Sequence, residues 1–161
     1  MSVASEALAA VAEEIKAQIE RQGRPGPEIF FMPGQDVYVP IGDGEDCAAL
    51  IATLVDAVAV DNFPNAATAN CVWRPAYILR FGVYRCMPVA ADYDGNDPPT
   101  DVLNAATTDI IDDSEAIICG IRNALNYGGY SYLVERYTPI GPEGGIAGGH
   151  WTVLVDSDRS E

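Results

Sequence analysis

Residues 137–156 read YTPIGPEGGIAGGHWTVLVD. The stretch begins as a strand, opens into GPEGGIAGG, and closes on the alternating run His150-Trp151-Thr152-Val153-Leu154-Val155. Pro142 has no N–H to give to a ladder, so pairing is expected to stop there. The pairs Gly144-Gly145 and Gly148-Gly149 permit positive φ and close backbone approach. On chemistry alone this is a long hairpin loop over residues 140–149, held at its base by strands at 132–138 and 151–156. Trp151, Val153 and Val155 share a face of the last strand, which places the Trp151 ring in the core. The glycines have no side chains to pack, so the loop is expected to act through backbone shape. Gly141, Pro142, Gly144, Gly145, Gly148 and Gly149 are therefore candidate contacts to another subunit or partner.

Working outward, residues 100–125 form a long helix in which Leu103, Ala106, Ile110, Ser114, Ile117, Ile121 and Leu125 step by three and four along one face. Asp109, Asp112, Asp113 and Glu115 fall mainly on the other side, a solvated face in the ordinary reading. Before that helix, DYDGNDPP makes an acidic turn. Earlier still, residues 74–86 give the clearest strand: Tyr77, Leu79, Phe81 and Val83 are expected to face the core, and Arg80 to face outward. The run AALIATLVDAVAV at 48–60 has the alanine content of a helix. Residues 3–22 form an amphipathic helix with Leu8, Val11, Ala12, Ile15 and Ile19 on its stripe, and Ser5 caps it if it starts late. After the helix, EIFFM at 28–32 is either an arm that packs on a neighbour or a local clamp on the core. Residues 36–40 are expected to be a short edge strand, 42–44 a loop, and 61–70 a loop containing Pro64.

Composition bounds the function. The chain has 161 residues, 48% hydrophobic and 20% charged, enough for one domain with its own core. No run of 18 apolar residues is present, and the N-terminus lacks the leading bases of a signal peptide, so a cytosolic origin is the expectation. With 24 acids against nine bases the net charge is −15, which opposes phosphate binding; acidity most commonly serves solubility, and it also suits an opening that passes DNA without holding it. The cysteines Cys47, Cys71, Cys86 and Cys119 match no zinc spacing, and in a cytosolic protein they read as small buried apolar residues.

The GPxGGxxGG loop running into a Trp-bearing last strand is joined by other pieces: Asn62-Phe63-Pro64, Cys71, the strand LRFGVYRCMP at 79–88, and the segment from Gly95 to Pro99. In this order, over residues 47–156, the chain resembles the tail terminator (head-to-tail connector) proteins of long-tailed bacteriophages, especially those of actinobacterial hosts. It departs from them at Ile146, where a cysteine is expected, so no essential thiol belongs in the loop. The resemblance implies a strand at 48–60. The element order is then helix, strand, strand, helix, strand, strand. This is an α+β fold, a small antiparallel sheet with an N-terminal helix and one long central helix packed on it. A single domain spans 1–161, with 1–35 the N-terminal helix and arm and 36–161 the α+β core.

The resemblance also implies a structural virion protein rather than an enzyme. It would be a homo-hexameric ring that caps the tail tube and joins it to the head-completion, or stopper, protein, with DNA passing through without specific binding and no membrane contact. It would reside in the virion neck, and in the host cytoplasm during assembly. Asp92, Asp94, Asp109, Asp112 and Asp113 are the candidate acids of the lumen. Another neck ring, a stopper or adaptor, is the nearest alternative. A small cysteine hydrolase using Cys86 and His150 is the alternative from a different class, although neither residue sits in a nucleophile signature and no GxSxG elbow occurs. No cofactor is expected: the glycine loop lacks GK[ST] and precedes a strand, not a helix. No metal is expected either, because Asp92, Asp94 and Asn96 fit positions 1, 3 and 5 of a calcium loop, but Asp97 replaces its glycine and Leu103 its glutamate.

Overall fold

In the computed structural model, which describes residues 2–36, 39, 47–67 and 74–159, helix α1 runs Val3–Arg21. Its cap is Ser2, not Ser5: the Ser2 hydroxyl accepts from the Ser5 N–H at 3.3 Å. Strand β1 is Glu28–Pro33, β2 is Ala48–Asn62 and β3 is Asn65–Ala66. Strand β4 is Arg74–Cys86, a 3-10 turn follows at Ala90–Tyr93, and helix α2 is Thr100–Tyr127. Strands β5 (Tyr130–Glu143) and β6 (Ile146–Arg159) end the fold. The expected strand 36–40 and loop 42–44 lie largely or wholly outside the described residues, as do Cys71 and the end of the 61–70 loop.

The expected fold class is corrected. A small antiparallel sheet of four strands, with an N-terminal helix and one long central helix packed on it, is not what forms. The sheet has six strands in the order β1-β2-β4-β6-β5, with β3 on β2, and it is mixed because β1 runs parallel to β2. EIFFM therefore enters the sheet as an edge strand, with Ile29 packed against the core and Phe31 exposed. Residues 34–47 separate β1 from β2, a length that meets the dozen or so residues a parallel connection needs. Residues 48–60 are strand despite their alanines, because flanking strands on both sides fix their backbone.

Both helices lie on one face of the sheet. Leu50 and Ala52 of β2, Leu79, Phe81 and Val83 of β4, and Val153 and Val155 of β6 form one buried cluster with Val11, Ile15 and Ile19 of α1 and Ile117, Ile121 and Leu125 of α2. The expected core face of β4 is thus observed, and Arg80 points to the opposite face, where its Nη1 donates to the Gln35 carbonyl at 3.0 Å. A register shift between Leu54 and Asp56 then turns β2 over. Beyond it Val58 and Val60 face away from the helices and join Ala76, Ile78, Leu154 and Phe63 in a second cluster.

Candidate functional site

The glycine stretch is strand almost throughout. Strands β5 and β6 pair up to Glu143↔Ile146, leaving Gly144-Gly145 as a two-residue turn with φ of 59° and 77°. Two successive positive φ values suit the turn type that continues a right-handed strand twist, and glycine adopts them at no steric cost. The expected ten-residue interaction loop is corrected accordingly. Pro142 does not end the pairing because it falls in a register shift between Ile140 and Glu143, where no ladder donor is required.

Gly148 and Gly149 are buried and paired on both sides, to β4 and to β5. A Cβ on Gly148 would collide with the Val83 carbonyl oxygen and come within 2.9 Å of the Tyr84 Cα, while one on Gly149 would collide with the Tyr137 ring. These two glycines serve strand packing and are withdrawn from the candidate interface. Gly141, Pro142 and Gly144 remain exposed. The tip does not swing free: the Met87 N–H donates to the Gly145 carbonyl at 2.7 Å, tying the turn to the exit of β4. Trp151 is half-buried rather than enclosed. Its indole N–H donates to the Ser114 carbonyl of α2 at 2.9 Å, and its ring meets Tyr137 at 5.6 Å between centroids.

The five candidate lumen acids have different environments. Asp113 is buried, 2% exposed, and is gripped by two guanidiniums: Arg85 donates through Nε at 2.5 Å and Nη2 at 2.9 Å, and Arg24 through Nη1 at 2.6 Å. It ties α2 to β4 and to the segment after α1, and cannot line an opening. Its position carried a signal in the sequence, since Asp113 stands four residues before Ile117 and eight before Ile121, on the buried stripe. Asp109 is half-buried; its carbonyl accepts from Arg24 at 3.2 Å, and it borders a cavity of about 290 Å³ with Arg85 and Cys86. The Asp92 carboxylate turns back to accept from the Val89 N–H at 3.1 Å, and Asp94 holds the left-handed position with φ 54°. Asp112 is half-exposed on α2. Among the described residues no group of three His, Cys, Asp or Glu side chains could hold a metal ion.

Cys86 is disulfide-bonded to Cys47, with Cα atoms 5.4 Å apart and the Cys86 N–H donating to the Cys47 carbonyl at 3.1 Å. The bridge thus joins the residue before β2 to the last residue of β4. This overturns the cysteine hydrolase: no free thiol exists at Cys86. His150 also pairs with Gly82, four residues along the strand from Cys86, about 13 Å away at strand spacing. The His150 Nδ1 lies 3.3 Å from the Tyr84 hydroxyl instead. Burial pushes the His150 pKa down to about 4, with Arg80 and Arg136 adding to the shift, and burial pushes Tyr84 up to about 12. Nor is every cysteine a small buried residue, because Cys119 is exposed on α2.

No protein-family model matches the chain, and no curated protein matches it. The functional reading therefore rests on the residues themselves. Among the described residues no helix is long and apolar enough to cross a membrane.

Proposed function

We propose that this chain is a ring-forming tail terminator of a long-tailed phage, a structural protein that caps the tail tube and joins it to the head-completion protein. The ordered motif set carries the reading. Its pieces fall at the joints of the sheet: Asn62-Phe63-Pro64 at the β2–β3 turn, residues 79–88 along central strand β4 and its exit, the segment from Gly95 to Pro99 at the entry to α2, and the glycines at the β5–β6 turn. Two physical features support it. A net charge of −15 suits a ring that lets DNA pass without retaining it. The Cys47–Cys86 disulfide suits a protein that ends in a particle outside the cell, since such bonds persist on virion surfaces and are rare in cytosol.

On this reading the chain is a homo-hexamer in the virion neck, assembled in the host cytoplasm, with the tail tube protein and the head-completion protein as its partners. Its work is geometric: each subunit adds one surface to the tube end and presents another that does not polymerise. Native mass spectrometry of the full chain with purified tail tubes tests this. Six copies of a 17.2 kDa chain give a species of about 103 kDa that arrests tube growth at one end. A chain that stays monomeric at all concentrations and leaves tube length unchanged overturns the proposal.

A further inference from the structure

The amino-terminal half of helix α2 is less buried than its carboxy-terminal half. The apolar stripe of the helix runs its full length, yet no residue from 100 to 112 is buried, whereas Ala116, Ile117, Gly120, Ile121 and Leu125 all are. The stripe continues through Leu103, Ala106 and Ile110, of which Ala106 and Ile110 are half-buried, while Leu103 and, on the adjoining row, Ile111 are exposed. Leu103 is 36% exposed, Ile111 55%, and Val89, in the segment leading to α2, 38%. Three of the six exposed large apolar side chains among the described residues belong to this one segment of the chain. Three exposed apolar side chains on one stretch of the chain gain from a cover.

The charge around this end is one-sided. The sequence has no lysine or arginine between Arg85 and Arg122, while Asp92, Asp94, Asp97, Asp101 and Asp112 all occur there. Among the described residues, the guanidiniums that form ion pairs with α2, those of Arg24 and Arg85, are both bound to Asp113. A nucleic acid or an anionic lipid surface is repelled by such a rim. A second copy is a poor occupant in either geometry: through the same surface it brings the same acids into contact, and through any other face it has only nine bases against 24 acids to offer.

We infer that the amino-terminal half of α2, with the 87–99 segment, is a docking surface for a different protein, one that presents apolar side chains flanked by lysine or arginine. The proposal stands whether or not copies of the chain close into a ring, and it reassigns Asp92, Asp94 and Asp112 from a lumen to the rim of a contact.

The test uses the full chain and two synthetic amphipathic helical peptides with the same Leu/Ile face, one flanked by lysines and one by glutamates. Binding is read by fluorescence anisotropy at physiological salt. The basic peptide is expected to bind and the acidic one not to. Leu103→Asp/Ile111→Asp should weaken the basic peptide at least tenfold, even though it adds negative charge, while Phe31→Asp/Leu133→Asp should not. Leu103→Ser/Ile111→Ser, with the thermal midpoint measured alongside, gives the same comparison should the aspartates unfold the helix. Equal binding by wild type and both α2 variants means net charge alone holds the peptide, and overturns the proposal. So does loss of a native oligomer in the α2 variants, which would make the occupant a second copy.

Discussion

Replacing Asp113 by alanine removes the one carboxylate that two inward-pointing guanidiniums share. The Arg24 and Arg85 side chains are only 16% and 17% exposed, so neither regains full hydration when its partner goes. Three charge-assisted hydrogen bonds disappear together, at 2.5, 2.6 and 2.9 Å. Breaking a buried pair in this way costs about 3–5 kcal/mol, because the remaining charges are left uncompensated. Against a total stability of about 5–15 kcal/mol this is a large fraction. With a urea dependence of about 2 kcal/mol/M, the unfolding midpoint should fall by about 2 M. Replacing all three groups with apolar residues, Arg24→Met/Asp113→Leu/Arg85→Met, should recover most of the loss, since the cost lies in orphaned charge rather than in the pair itself. Equilibrium urea unfolding followed by circular dichroism measures both. A loss below about 1 kcal/mol for Asp113→Ala would refute the reasoning and return Asp113 to the solvent-facing acids.

Protonation of His150 should weaken the fold in a defined window. Its folded pKa is depressed from 6.5 to about 4, so as pH falls the unfolded chain takes up the proton first; stability is complete above 6.5 and declines between 6.5 and 4, by roughly 3 kcal/mol in all. The carboxylates Asp156 and Glu14, held down by Arg74 and Arg21, add their own losses from about pH 5 downward, so His150→Gln should flatten the stability profile between pH 6.5 and about 5; an unchanged slope there would show that another group titrates. Gly148→Ala should cost about 3 kcal/mol or more, since the new methyl meets the β4 backbone, whereas Gly141→Ala, which meets nothing within 4 Å, should stay within about 0.5 kcal/mol; equal thermal midpoints for the two would contradict the close approach. Trp151→Phe keeps most of the ring contact and loses the Ser114 hydrogen bond, an expected cost of about 1 kcal/mol in urea unfolding; a cost near that of Trp151→Ala would place the ring's main contribution in the indole N–H.

Periodicity of the amino-acid sequence determined both helices, the core face of β4 and the strand pair that carries Trp151. Each of these reports a local repeat of 3.6 or 2.0 set by the backbone itself, and needs no knowledge of the partner surface. The cap of α1 moved by three residues because Ser2 and Ser5 are both competent acceptors, and only the first turn's hydrogen bonds choose between them.

Tertiary structure decided the rest. The parallel placement of β1 depends on where the 34–47 connection returns, which no local pattern encodes. The turn-over of β2 at Asp56 is a single extra residue in one strand, invisible in a stretch that is apolar on both faces. Pro142 belongs to a strand only because a bulge absorbs it, and Gly148 is a packing residue only because β4 passes against it. Asp113 reads as a surface acid by type, and becomes a buried keystone because Arg24 and Arg85, far from it in sequence, arrive beside it. Cys47 and Cys86 pair for the same reason: β2 and β4 bring together two residues 39 apart. Local physics fixes the strongly periodic segments, while residues 48–60 became strand through their neighbours. Which charges, thiols and glycines meet is fixed by the assembled sheet, because long-range contacts exist only once the chain has closed on itself.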